Sequence, residues 1–193
     1  MYMTHSLRIL GLAAALAAPS VLAAQAAVDK PVSFGVSGGV SMPTGVLDDE
    51  AESGFAVAGH LYYKPVGVTA LRFRGDVSYD RWGIERRLTG GAVTANLRAL
   101  GIMANAMFDV ASSSSSTVTP YLLGGVGLVS AEVTARTGSA RRSESDTNLG
   151  IQLGGGLTFQ LSGFSTFLEA KYVNAFTEGD NATWIPITFG VRF

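Results

Sequence analysis

The chain has 193 residues, 14 basic and 15 acidic side chains, 24 glycines and no cysteine, and only 15% of it is charged. That length makes one domain. The near-neutral charge offers no basic surface for nucleic acid, and the missing cysteines exclude a disulfide framework, a thiolate metal site and an acylated lipoprotein terminus.

Residues 1–26 read as a secretory signal. A short start ends in Arg8, an apolar stretch runs from Ile9 to Ala18, Pro19 and Ser20 break it, and Ala24-Gln25-Ala26 supplies an A-x-A cleavage site. Cleavage after Ala26 leaves residues 27–193 as one domain. Loss of Arg8 leaves 13 basic against 15 acidic residues, a formal charge of −2. No other stretch approaches the length of a membrane helix, so a membrane location requires strands.

Eight strands follow, recognised by period-two alternation. The first, at about 32–42, sets Val32, Phe34, Val36, Val40 and Met42 against an opposite face of serine and glycine. A loop with the acidic run Asp48-Asp49-Glu50 and Glu52 leads to the second, at about 54–64. There Phe55, Val57, Leu61 and Tyr63 oppose His60, Tyr62 and Lys64. Pro65-Val66-Gly67 turns into the third, at about 68–80, where Leu71, Phe73, Val77 and Tyr79 oppose Arg72, Arg74, Asp76 and Ser78. A basic loop is expected next, with Arg81, Arg86 and Arg87 around Trp82, Ile84 and Glu85.

The fourth strand, at about 92–110, places Leu100, Ile102, Ala104, Ala106 and Phe108 on one face and Asn105 on the other. Its upper half is ambiguous. An unbroken phase puts Asn96 and Arg98 on the apolar face, whereas a bulge near Gly101 turns them to the other side. After the turn at 111–116, the fifth strand, at about 118–133, contains Tyr121-Leu-Leu-Gly-Gly-Val-Gly-Leu128, apolar on both faces and of open phase. A polar loop is expected over 134–146. The sixth strand, at about 147–161, alternates cleanly: Leu149, Ile151, Leu153, Leu157 and Phe159 oppose Gly150, Gln152, Gly154, Gly156 and Thr158. Ser162-Gly163 turns the chain into the seventh, at about 164–176, where Leu168, Ala170 and Tyr172 oppose Glu169 and Lys171. Glu178-Gly179-Asp180 leads to the eighth. There Ile185, Ile187, Phe189, Val191 and Phe193 oppose Trp184, Pro186, Thr188, Gly190 and Arg192.

Short and long connections alternate along these strands. That rhythm suits a membrane barrel with short turns on one side and longer loops on the other. A secreted lipocalin-like barrel shows the same alternation with the faces inverted. Three features place the apolar face against lipid. It lacks charge over long runs, its aromatics collect near strand ends as interfacial girdles do, and the opposite faces of strands one and six carry small residues suited to a crowded lumen.

The closing strand Ile187-Thr-Phe-Gly-Val-Arg-Phe193, the run Pro120-Tyr121-Leu-Leu-Gly-Gly-Val-Gly127 and Asn105 carry a resemblance. With them the whole span 27–193 resembles the small eight-stranded outer-membrane β-barrel family, OmpA/OmpX-type and opacity-like. The resemblance implies an all-β, antiparallel, up-and-down transmembrane barrel in the bacterial outer membrane. It implies that the assembly machinery reads the C-terminal strand through Phe193. It does not imply one function, since family members serve as anchors, adhesins, small pores or lipid-A enzymes. The chain ends at the barrel, so anchoring through a following peptidoglycan-binding domain is not expected.

The inward face collects His60, Arg72, Arg74, Asp76, Glu169, Lys171 and Arg192, with Lys64 on the same phase. A lumen of eight strands is barely wide enough for side chains, so these are expected to pair into a polar network that occludes it. The sharper alternative is a gate on a narrow channel for small solutes. A lipid-modifying enzyme needs a His–Ser pair at the lipid or the mouth, and His60 with Ser41 is the weak candidate. No catalytic residue, cofactor or metal ligand set is expected; the acidic run lacks the spacing of a calcium loop. The expected partners are outer-membrane lipid and lipopolysaccharide, whose phosphates suit Arg81, Arg86, Arg87, Arg141 and Arg142, and an unidentified surface ligand at the outer loops. The expected role is a stable barrel that displays those loops, acting physically rather than catalytically.

Overall fold

The strands close because each alternating segment offers one apolar face and two unpaired edges, and pairing all edges in a ring leaves none exposed to lipid. The computed structural model describes residues 31–47, 51–68, 70–88, 91–110, 117–137, 140–177 and 180–193. The signal segment, the acidic run at 48–50, the serine-rich turn at 111–116 and Glu178-Gly179 lie outside them. So do the side chains at 46, 84–88, 91–95, 135–137 and 140–144, which include Arg86, Arg87, Arg141 and Arg142.

The strands are β1 Val32–Thr44, β2 Gly54–Tyr63, β3 Leu71–Leu88, β4 Gly91–Asp109, β5 Val118–Thr137, β6 Ala140–Gln160, β7 Ser165–Ala175 and β8 Ala182–Arg192, with a 3-10 turn at Gly45–Leu47. They form a closed antiparallel barrel in sequence order. The seam between β1 and β8 runs from Thr44↔Thr183 to Gly35↔Arg192. Phe193 extends it: its N–H donates to Phe34 O at 2.8 Å and its carbonyl accepts from Phe34 N at 3.2 Å. Positive φ at Gly67 (82°) and Gly163 (90°) lets the two short turns close without a Cβ clash.

Burial settles which face is inside. Phe34 is 62% exposed and Leu153 63%, while Arg74 and Glu169 are each 1% exposed. Apolar groups outside and charges inside suit hydrocarbon, not water, so the inverted lipocalin-like arrangement does not apply. No helix among the described residues is long and apolar enough to cross a membrane.

The two open phases are resolved by pairing. β4 pairs with β3 in one unbroken register from Leu71↔Phe108 to Leu88↔Gly91, so there is no bulge at Gly101. Asn96 and Arg98 therefore stay on the outward phase, with Leu97 and Ala99 buried inward. In β5, Tyr121, Leu123 and Val129 are buried while Leu122, Val126 and Leu128 are exposed.

Two expected loops are strands instead. Residues 81–88 continue β3, and 134–137 with 140–146 continue β5 and β6. Cross-strand pairing carries them, since each reaches a partner above the belt. β3 to β6 hold 18, 19, 20 and 21 residues. The other four strands hold 13, 10, 11 and 11, and about 9–11 suffice to span. A four-stranded sheet thus rises above the barrel at the end away from the short turns. Lys64 is exposed beyond the end of β2 and does not enter the lumen; it follows the last β2 pair, Val32↔Tyr63.

Candidate functional site

Small inward residues make the lumen possible. A Cβ at Gly156 would lie 2.6 Å from the Tyr121 hydroxyl, and one at Gly39 would lie 2.8 Å from Thr188 Cα. Glycine at such positions leaves the space that long side chains from facing strands fill.

Those side chains form three layers. The central one is charged. Arg74 on β3 donates from Nη1 to Glu169 Oε2 at 2.6 Å and from Nη2 to Glu169 Oε1 at 3.0 Å. The same Nη2 reaches Asp76 Oδ2 at 2.9 Å. Tyr121 O–H donates to Glu169 Oε2 at 2.7 Å. Lys171 Nζ stands 3.6 Å from Glu169 and 3.8 Å from Asp76. Asn105 Nδ2 donates to Asp76 Oδ2 at 3.0 Å, and Gln152 Nε2 reaches it at 3.3 Å and also donates to Asn105 Oδ1. Low local dielectric strengthens each of these bonds and makes any missing partner costly.

The layer toward the short turns holds Arg72, which pairs with Asp109, and Arg192, whose Nε donates to Ser165 Oγ at 3.0 Å. The Tyr62 ring lies between the Arg74 and Arg192 guanidinium groups, at 5.7 and 5.4 Å. The layer toward the protruding sheet is apolar. Trp82 and Trp184 meet edge to face at 5.5 Å, packed with Leu97, Met103, Val129, Val173 and Ala51. Trp82 Nε1 donates to Ser41 O at 3.1 Å, and Ser41 Oγ donates to Asp80 Oδ1 at 2.7 Å. A cavity between this cap and the charged layer, lined in part by Asp80, Gln152, Lys171 and Trp184, has about 20 Å³ of room for water centres. That is space for about one water molecule.

Every expected lumen residue, His60, Arg72, Arg74, Asp76, Glu169, Lys171 and Arg192, points inward, and they meet in one connected system. Formal charges balance among the described lumen residues: Arg72, Arg74, Lys171 and Arg192 face Asp76, Asp80, Asp109 and Glu169. Two expectations change. Trp82 is not a loop residue open to a partner. It is 1% exposed, because β3 keeps its alternation past Asp80 and turns the indole inward. Ser41 does not pair with His60; it serves Asp80. Ser37 takes that place instead, because β1 and β2 pair Ser37↔Ala58 and Gly35↔His60.

Ser37 Oγ lies 2.9 Å from His60 Nε2, and His60 Nδ1 donates to Asp76 Oδ1 at 2.7 Å. The order is that of a hydrolase triad. The surroundings differ: Asp76 is also held by Arg74, Asn105 and Gln152, the His60 side chain is fully buried, and Ser37 and His60 line neither the cavity beneath the tryptophan cap nor the one beside Arg72 and Arg192. As placed, the relay ties β1, β2 and β3 together. Sequence reasoning missed Ser37, Gln152, Asp80 and Asp109 because a polar residue on an alternating strand announces its face but not its partner across the lumen.

Comparisons with known proteins agree with this architecture. A family model described as "Outer membrane protein beta-barrel domain" matches residues 12–193. A search of curated proteins finds no match. Among solved structures, Neisserial surface protein A superposes with a TM-score of 0.60 at 19% identity, over 84% of this chain and 96% of that one. A major outer membrane protein of Thermus thermophilus gives 0.60 at 13% identity, over 85% and 99%. Ail, the attachment invasion locus protein of Yersinia pestis, gives 0.50 at 18% identity, over 84% and 97%; that structure holds the heparin analogue sucrose octasulfate.

Proposed function

Because the chain belongs to the outer membrane protein β-barrel family and resides in the bacterial outer membrane, we propose that it is a plugged scaffold that displays a β-sheet for surface interactions. The supporting observation is the extension of β3 to β6 beyond the belt. Eight to ten residues past a minimal span amount to roughly 26–33 Å of strand. Among the described residues, the last β6–β7 contact is Phe176 N to Leu149 O, and Glu52 N to Gly83 O is the last contact on the outer edge of β3. Above both points no described strand pairs with these edges; Thr147 N–H donates to Asp146 Oδ1 at 2.9 Å, and the edges lie open to an extended segment of another chain.

The test is display and binding on intact cells. An epitope inserted between positions 138 and 139 should be labelled by antibody from outside, and one inserted after Ser162 should not. Replacing 134–145 with a two-residue Asn-Gly turn should keep the barrel folded and abolish surface adhesion conferred by the full chain. Outside labelling at Ser162, or adhesion unchanged by trimming, would end the proposal.

A second function, a gated narrow channel, is favoured by the Arg74–Glu169 pair, which blocks the lumen with bonds able to exchange partners with Lys171 and Asp76. Planar-bilayer recording separates the two. The scaffold predicts a quiet bilayer, and steady conductance steps favour the channel.

A further inference from the structure

The described cations outside the lumen are Lys64 at the short-turn end and the pair Arg81 and Arg98 at the other. The register sets Arg81 directly opposite Arg98 on the outward faces of β3 and β4. Like charges directly opposite one another destabilise a strand pair, and the described partners bring one carboxylate, Glu132, for the two cations. Arg81 Nη2 donates to the neutral Asn96 Oδ1 at 3.0 Å. Arg98 Nη1 stands 3.9 Å from Glu132, which also accepts from Thr134 Oγ1 at 3.2 Å. Arg98 Nε is buried with no acceptor.

Position gives the pair a meaning. One step down the same strands is Tyr79↔Leu100, then Val77↔Ile102. Val77 and Ile102 are 55% and 59% exposed on the lipid face. Phe55 pairs beside Arg81 and its ring lies 6.1 Å from that of Tyr79. An aromatic group above an exposed apolar belt marks the level of lipid headgroups. Directly opposed residues have Cβ atoms about 4.5–5.5 Å apart, so two guanidinium forks can converge on one phosphate and hold it bidentately.

We propose that Arg81 and Arg98 form a headgroup site for a phosphate-bearing lipid of the outer leaflet, with its chains lying along the Tyr79, Leu100, Val77 and Ile102 surface. The site rests on the orientation given above, with the protruding sheet outside. The phosphate occupies the space between the forks and supplies the charge that Glu132 alone leaves unbalanced.

The test uses the protein purified from outer membranes, stripped of lipid in neutral detergent, and titrated with bisphosphorylated lipid A. Native mass spectrometry reads the bound fraction. Wild type should hold one lipid, and the enzymatically dephosphorylated lipid should bind about tenfold more weakly or worse. The Arg81→Gln/Arg98→Gln variant should lose the same factor while keeping heat-modifiable gel mobility, and Lys64→Gln should change nothing. If the double variant fails to fold, Arg98→Gln alone and Arg81→Lys/Arg98→Lys, which keeps charge but loses the fork, should each weaken binding. Equal binding of the dephosphorylated lipid, undiminished binding by the folded variants, or displacement of the lipid by equimolar inorganic phosphate would overturn the site. Epitope labelling reads orientation separately. An inverted topology with phosphate-dependent binding intact would refute the outer-leaflet assignment, while correct topology without binding would refute the site alone.

Discussion

Replacing Glu169 with leucine removes the acceptor of two Arg74 bonds and of the Tyr121 hydroxyl bond. Arg74 keeps only Asp76 among its charged partners, and the described lumen gains a net positive charge. Breaking a buried pair from one side costs about 3–5 kcal/mol, or roughly a hundredfold to several thousandfold in the folding equilibrium. The Arg74→Met change should cost a similar amount. The double variant Arg74→Met/Glu169→Leu restores charge balance and fills the space with apolar atoms. It should therefore cost less than the sum of the single changes by about 1–3 kcal/mol. Urea unfolding in detergent micelles measures all four proteins. The two tryptophans, Trp82 and Trp184, are the only ones in the chain and both sit in the lumen cap, so their fluorescence reports the lumen directly. A single-variant cost below about 1 kcal/mol, the level of an exposed pair, would refute a structural network. Simple additivity would show that Arg74 and Glu169 do not act on each other.

Trp82→Ala removes the edge-to-face contact with Trp184 and leaves a void in the apolar cap. A loss of about 3–5 kcal/mol is expected in the same urea assay. Gly39→Val drives a side chain into the β1–β8 seam, where even a Cβ meets Thr188 Cα at 2.8 Å; the chain should fail to reach the compact, heat-modifiable form on gels. Deleting Phe193 removes its two backbone bonds to Phe34. Outer-membrane yield in cells should fall much more than the stability of whatever barrel is recovered. Ser37→Ala removes one partly buried hydrogen bond to His60 and should cost about 0.5–1.5 kcal/mol in urea unfolding.

Sequence alone determined the strand count, the closing seam and the faces of six strands, because a period of two states which side chains travel together. It also put His60, Arg72, Arg74, Asp76, Glu169, Lys171 and Arg192 on the inward phase, but not Asp80 and Asp109, the two carboxylates that complete the charge balance of the described lumen. Alternation is blind to two things that only the closed barrel decided. One is phase where both faces look alike: Tyr121 to Leu128 is apolar throughout, and only pairing with β4 and β6 turns Tyr121 toward Glu169. The other is height: nothing local says that strand pairing continues past Asp80, so Trp82 reads as a loop residue until β3 carries it inward over the lumen. Partner choice across the barrel is set by the stagger of strands far apart in the chain. That stagger brings Glu169 of β7 to Arg74 of β3, while the hairpin registers of β1–β2 and β3–β4 give His60 to Ser37 rather than Ser41 and set Arg81 against Arg98.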